Sequence, residues 1–162
     1  MDQYRKVASV LKDMNIAFEI VEHPPVFTTE EADSYIVGIP GVRTKSMFLT
    51  NKKKTAYYLL IMDDSKRVDM NKFKEMVGET RIKMASSESL MEQMQLSPGS
   101  VSIFGLLNNK QKNIQVFFDQ AILSEKRMSF HPNMNTKTIF LDTCAVLTFV
   151  KETGFDYTAI DL

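Results

Sequence analysis

Tyr4, Val7, Leu11 and Met14 recur at helical spacing and predict an amphipathic helix over residues 2–14. Residues 16–21 read as a strand. His23-Pro24-Pro25 stops it, because neither proline can donate a hydrogen bond to a ladder. Thr28 stands three residues before Glu31, a capping box that opens a short helix through Ala32 and Tyr35. Gly38-Ile39-Pro40-Gly41 ends that helix. Residues 42–50 and 55–62 are strand-like runs joined by Asn51-Lys52-Lys53-Lys54, which predicts a hairpin.

Beyond the hairpin, Asp69 is placed to cap a helix carrying Met70, Phe73, Met76 and Val77. Residues 81–84 form a short strand. Ser86 or Ser87 caps the next helix, with Leu90, Met91 and Met94 inward. Ser97-Pro98-Gly99 is a turn, and residues 101–106 and 114–118 read as strands around the polar loop 108–113. Residues 137–141 read as a strand. Asp142 or Thr143 caps a last helix that Gly154 stops, and residues 157–160 add an edge strand. Strands and helices mix without strict βαβ alternation, and neither a repeat nor a linker interrupts them. The expected architecture is α/β or α+β with a mixed sheet.

The chain length of 162 residues favours one domain spanning residues 1–162, and 44% hydrophobic residues suffice for a real core. Lys plus Arg number 20 and so do Asp plus Glu, giving zero net charge. That argues against a generic nucleic-acid coat protein and requires any RNA contact to use a local patch. Cys144 is the single cysteine, so no intramolecular disulfide forms, which fits a reducing compartment. The charged start Met1-Asp2-Gln3-Tyr4-Arg5-Lys6 has no apolar run behind it and does not read as a signal peptide. The longest apolar run, 56–62, is too short to span a bilayer. A cytoplasmic location is expected, with neither membrane nor DNA as partner.

Few residues suggest chemistry. On a strand, Arg43, Lys45, Met47 and Leu49 share one face, so Lys45 stands among large apolar side chains. It is either a partly desolvated site lysine or a stem on apolar surface with its ammonium in water, and periodicity alone favours the latter. Phe130-His131-Pro132-Asn133-Met134-Asn135-Thr136 is either a site loop or a polar turn. The turn at Ser97–Ser102 could offer backbone N–H groups to an oxyanion or phosphate. It is not the Gly-x-Ser-x-Gly elbow, and a triad of Ser100 or Ser102 with His131 and Asp119 fits no established order. His23, His131 and Cys144 have no metal-ligand spacing, so no metal and no cofactor are expected. His23 reads as a surface turn residue and Cys144 as a small buried hydrophobe. Lys52-Lys53-Lys54, with Lys110, Lys112, Lys126 and Arg127, could track an RNA backbone if they share a face.

Four blocks in this order resemble the YbaK/ProX family of tRNA-editing domains, and most of all its PrdX/ProXp-ala branch. They are His23-Pro24-Pro25-Val26-Phe27-Thr28, Thr44-Lys45-Ser46-Met47-Phe48-Leu49, Ser97 through Leu106, and Phe130 through Thr138. The resemblance runs from about Val21 to Leu162, and the last two blocks together are its most specific part. It implies a curved mixed sheet flanked by helices. It implies that Lys45 is the functional lysine and that Gly99 opens the pocket loop, so these two are the candidate catalytic residues. It implies that His131 stands beside the aminoacyl group. Ser100, Val101, Ser102, Phe130, His131, Asn135 and Thr136 are the candidate substrate-binding residues. Three positions depart from the family pattern: Ile103 replaces the loop proline, Ser46 a common asparagine and Asn109 a frequent aspartate.

The activity that the resemblance implies is trans-editing hydrolysis of mischarged tRNA for proline, alanyl-tRNA foremost. A proline pocket cannot strongly exclude alanine, since a missing methylene is worth only ~1–3 kcal/mol. The expected mechanism is a positioned water, with no metal. The partner is the 3′ acceptor end of tRNA, and prolyl-tRNA synthetase stands open as a second. Two alternatives remain at this point: cysteinyl- or seryl-tRNA as substrate, and a non-catalytic tRNA- or synthetase-binding module, which Ile103 favours.

Overall fold

The computed structural model describes residues 2–162. In chain order its elements are α1 (Gln3–Asp13), β1 (Glu19–Glu22), α2 (Thr29–Ser34), β2 (Val42–Asn51), β3 (Tyr57–Asp63) and α3 (Met70–Val77). There follow β4 (Ile82–Met84), α4 (Ser87–Met94), two 3-10 turns at Pro98–Ser100 and Ile103–Asn108, β5 (Ile114–Asp119) and α5 (Gln120–Leu123). The chain ends with β6 (Arg127–Phe130), β7 (Lys137–Asp142), α6 (Thr143–Glu152) and β8 (Tyr157–Ile160). The strands form one mixed sheet in the order β1-β7-β6-β2-β3-β5-β8, with β4 also paired to β2. The pairs β2/β6, β3/β5 and β5/β8 are parallel and the others antiparallel. This is the mixed α/β architecture expected from the sequence.

Strand alternation divides the apolar residues between two cores. Leu59 and Ile61 of β3 join Val116 and Phe118 of β5 in the larger one, with Val7 and Leu11 of α1 and Phe149 of α6. Tyr58, Leu60 and Met62 face the other side with Phe117 and Phe73 of α3. Covered on both faces, β3 reads as an unbroken apolar run rather than an alternating one. Three of the predicted caps form: Thr28 accepts from the Glu31 N–H at 3.1 Å, Asp69 from that of Lys72 at 3.0 Å, and Ser86 from that of Ser89 at 3.1 Å, whereas Asp142 makes no side-chain cap bond to the last helix.

Several expectations fail for identifiable reasons. Residues 101–106 are not a strand. Ser102 caps a 3-10 turn by accepting from the Phe104 N–H at 3.1 Å, and Ile103, Phe104 and Leu106 all enter one core instead of alternating. Gly105 packs so tightly on Met94 and Leu96 that a Cβ there would overlap them. The chain between β5 and the 130–136 loop, unassigned from sequence, supplies α5 and β6. β6 has only four residues and is a strand because β2 and β7 flank it. Cys144 is exposed, not buried. His23 is buried: Nδ1 lies 2.9 Å from the Pro24 carbonyl and Nε2 2.9 Å from the Thr138 hydroxyl, and its ring stacks on Tyr35.

Two contacts seat α2 against the sheet. Arg43 donates to the Ile36 and Gly41 carbonyls at 2.6 Å each and lies over the Phe140 ring. Asp64, just beyond β3, is hydrogen-bonded to Asp33 of α2. Burial, aided by that bond and by the charges of Asp33 and Asp63, raises its pKa from 3.8 to about 8 against the opposing pull of Arg43. Two carboxylates cannot share a hydrogen bond without a proton, so the folded protein keeps a proton that the unfolded chain releases. Stability is therefore full below the unfolded aspartate value of 3.8 and declines as pH rises toward about 8. The expected outcome is a Tm that falls across this interval. Asp64→Asn keeps a donor for Asp33 without a charge and should flatten the decline. An unchanged slope in thermal melts of the variant would dissociate this pair from the pH response.

Candidate functional site

β2 is paired with β3 along Thr44–Thr50. On its other side β6 covers only Val42 and Arg43, and β4 covers Leu49–Asn51. The Phe48 carbonyl accepts from the Ala85 N–H at 2.9 Å, so the main-chain groups of Phe48 point away from β3. Strand alternation then points those of Ser46 the same way, into the gap between β6 and β4, where no other backbone group pairs with them. Free polar main chain in a sheet interior is rare, and here it opens onto a cavity.

That cavity has a volume of about 160 Å³. Thr44, Lys45 and Ser46 line it from β2, Phe130 and His131 from the end of β6, Pro98, Gly99 and Val101 from the 3-10 turn, and Val26 through Thr29 from the start of α2. It thus unites residues of the four blocks singled out in the sequence. Lys45 is half-buried, and its ammonium bonds to no other described residue. Gly99 has an ordinary φ, and a Cβ added there would meet nothing within 4 Å. Its lack of a side chain therefore matters to whatever enters the cavity, not to the fold. The N–H groups of Gly99 and Val101 donate to no other described residue, whereas that of Ser100 is spent on the Ser97 carbonyl at 2.9 Å.

Burial lowers the pKa of His131 below the usual histidine value. Its Nδ1 lies 3.3 Å from the Lys137 carbonyl. A neutral ring that donates from Nδ1 there leaves Nε2 as an acceptor. The His131 ring meets that of His23 edge-on at 6.5 Å between centroids.

The remaining candidates support the walls. Ser102 is fully buried and donates to Asn133 Oδ1 at 2.9 Å while capping Phe104, so it is no free nucleophile. Asp119 is paired with Lys66 at 2.7 Å, so the triad of serine, His131 and Asp119 does not assemble. Asn135 holds both main-chain groups of Val26: its carbonyl accepts the Val26 N–H at 3.2 Å, and its amide donates to the Val26 carbonyl at 3.1 Å. Thr136 accepts the His23 N–H at 2.9 Å. These two residues lace the 23–26 segment to the 131–137 loop without lining the cavity. Ile103 is fully buried in the large core, away from the cavity, and Asn109 bonds Gln93 and Asn113.

Sequence reading missed two features. Phe27 precedes the Thr28 cap, the position of a hydrophobic staple, yet it is 78% exposed at the cavity rim. The basic residues also group differently than proposed. Lys112 donates to the Thr153 carbonyl and lies over Phe155, and Arg127 pairs with Glu19 at 2.8 Å, whereas Lys52 stands with Lys74, Arg81 and Lys83 around a second cavity. Among the described residues no three His, Cys, Asp or Glu side chains gather as metal ligands would, and no helix is long and apolar enough to cross a membrane.

The comparisons with known proteins agree with this arrangement. The aminoacyl-tRNA editing domain family matches residues 23–149. The prolyl-tRNA editing protein ProX of Acetoanaerobium sticklandii is 30% identical over 162 residues, covering 100% of this chain and 99% of that protein. The prolyl-tRNA synthetase associated domain-containing protein 1 of Bos taurus is 31% identical over 90% of this chain and 87% of its own. A solved structure described as a candidate trans-editing enzyme for prolyl tRNA synthetase shares the fold, with a TM-score of 0.77 at 19% identity over 100% of this chain and 98% of that one. With its cavity built from the matched blocks, the chain belongs to the aminoacyl-tRNA editing domain family and is an aminoacyl-tRNA deacylase.

Proposed function

We propose that this deacylase acts in trans on alanyl-tRNA for proline, by attack of a positioned water. The observation that carries the proposal is the 160 Å³ cavity, which holds Lys45, Gly99 and a neutral His131 but no activated nucleophile. Pockets that engulf drug-sized ligands occupy ~300–1,000 Å³, so a cavity of this size suits a small side chain. Alanine enters and proline is excluded, as a second sieve requires.

The ester carbonyl sits against the 3-10 turn, where the free N–H groups of Gly99 and Val101 stabilise its developing negative charge. Water adds to the carbonyl carbon, and the bond to the ribose oxygen breaks, leaving free amino acid and a ribose hydroxyl. The neighbouring ribose hydroxyl of the substrate orients the water. The Lys45 ammonium, free of protein partners, holds the terminal phosphate or ribose and polarises the ester. His131 sets the size of the pocket. The exposed Phe27 ring offers a stacking surface to a base of the unpaired 3′ end. Association with prolyl-tRNA synthetase is part of the proposal and is supported by the name of the Bos taurus relative. Ile103, the residue that favours a non-catalytic module in the sequence, lies in the core and leaves the cavity intact.

Lys45→Ala should stay folded and lose on the order of 10²–10³ in single-turnover rate, the usual cost of one electrostatic contact at the reacting centre. Near wild-type rates in a folded variant would remove Lys45 from the site. His131→Ala should relax selectivity, admitting prolyl-tRNA more than it slows alanyl-tRNA. Parallel assays with alanyl-, seryl-, cysteinyl- and prolyl-tRNA measure both effects, and preferred cleavage of the seryl or cysteinyl ester would reassign the substrate. Activity should survive dialysis against chelator.

Gly99→Ala separates approach from folding. Its added methyl meets no protein atom, so thermal melts should match wild type while deacylation drops. Full activity would mean that the substrate does not approach this turn.

A further inference from the structure

Ser46 lies between the two short partners of β2, and neither its N–H nor its carbonyl is bonded to another described residue. In an extended strand both groups of one residue point to the same side, so Ser46 presents a donor and an acceptor next to each other. Ser46 is half-buried and lines the cavity onto which this open stretch of strand faces.

Many other polar groups around the cavity are already engaged. Asn135 holds both main-chain groups of Val26, and the His131 carbonyl accepts the Asn133 N–H at 2.9 Å. The Thr28 hydroxyl caps α2, and the Thr44 hydroxyl donates to the Ser129 carbonyl. No carboxylate lines the cavity. A cation that enters it therefore meets no counter-ion and must be held by neutral acceptors. An aminoacyl ester brings such a cation, its α-ammonium, on the carbon that also carries the ester carbonyl. Donor and acceptor on one carbon are what a neighbouring strand residue would offer to Ser46.

We propose that the main chain of Ser46 binds the α-ammonium of the aminoacyl ester, which docks against β2 as one residue of an added strand. The inference rests on the deacylase reading and names a feature of the substrate that the site reads besides side-chain size. The ammonium donates to the Ser46 carbonyl. The ester carbonyl accepts from the Ser46 N–H on one side and from the 3-10 turn on the other. Acylation of the nitrogen removes its charge and two of its three N–H donors. Peptidyl-tRNA is therefore spared, although it carries the same kind of ester.

The test compares three esters of tRNA for proline: alanyl, propionyl, in which hydrogen replaces the amine, and N-acetylalanyl. Each rate is divided by the spontaneous rate of the same ester, because an ammonium group activates its ester by itself. Wild type should cleave the propionyl and N-acetylalanyl esters at least ~10-fold more slowly than the alanyl ester, as expected for a lost hydrogen bond to a charged group. A main-chain variant tests Ser46 itself. Replacing Met47 by its 2-hydroxy acid turns the Ser46 carbonyl into that of an ester, a weaker acceptor, and deletes a Met47 N–H that faces β3. The same replacement at Leu49 deletes an equivalent N–H but weakens the Phe48 carbonyl, which serves Ala85, and is the control. Circular dichroism checks folding. The variant at Met47 should lose about tenfold on the alanyl ester and nothing on the propionyl ester, and the variant at Leu49 nothing on either. Equal losses on both esters at Met47 would overturn the proposal, since a group that binds the ammonium cannot act on a substrate without one. Equal normalised rates of wild type on alanyl and propionyl esters would overturn it without any variant. If wild type cleaves none of the esters, the deacylase reading fails by itself. The relative affinity of wild type for the stable alanylamide and propionylamide of 3′-amino-tRNA then still decides the ammonium site: a preference for the alanylamide supports it, and equal affinity overturns it.

Discussion

Incomplete pairing of one strand organises this molecule. β2 is paired with β3 through Thr44–Thr50, but on its other side it is shared between two short strands that do not meet. Buried main-chain groups demand partners, so a central strand with an open stretch of edge must be flanked by water or by a ligand. The cavity lined by Lys45 and Gly99 opens onto that stretch. β6 delivers Phe130 and His131 to one end of the gap, and the turn carrying Gly99 closes over it. Lys45 and Ser46 sit in the gap because they are residues of β2 that neither partner covers.

The walls are held by polar contacts between segments far apart in sequence. Asn135 and Thr136 fix the backbone of His23 and Val26, the buried His23 ring bonds Thr138, and Arg43 ties the end of α2 to the sheet. Such bonds are worth little net when made, but a partner left unsatisfied in a buried site is costly. They therefore favour one arrangement of the walls. This explains why several residues of the matched blocks never touch the cavity. Their role is to position the residues that do. The same reasoning relocates Ser102, whose hydroxyl is engaged on both sides and shapes the turn from beneath.

Electrostatics divides the protein's work. His131 is half-buried, and burial lowers its pKa and favours the neutral ring. Around the second cavity Lys52, Arg81 and Lys83 are exposed and Lys74 is half-buried, and none is ion-paired among the described residues. One strand links the two environments.

Local pattern determined the elements whose stability is local. The capped helices, the β2–β3 hairpin and the shared face of Lys45, Met47 and Leu49 were all legible, because caps and strand alternation depend on residues a few positions apart. The blocks carrying the family resemblance were legible too, and their Lys45, Gly99 and His131 line one cavity. Tertiary structure decided the rest. β6 is a strand only because two distant strands flank it, and residues 101–106 coil into a 3-10 turn because their apolar side chains share one core. His23 is buried where the hydroxyl of Thr138, 115 positions away, meets its ring Nε2. Lys52 found its cationic neighbours on α3 and β4 rather than among the lysines nearest in the reading. Each of these depends on long-range pairing, and a one-dimensional period carries no information about which distant segment will supply the partner.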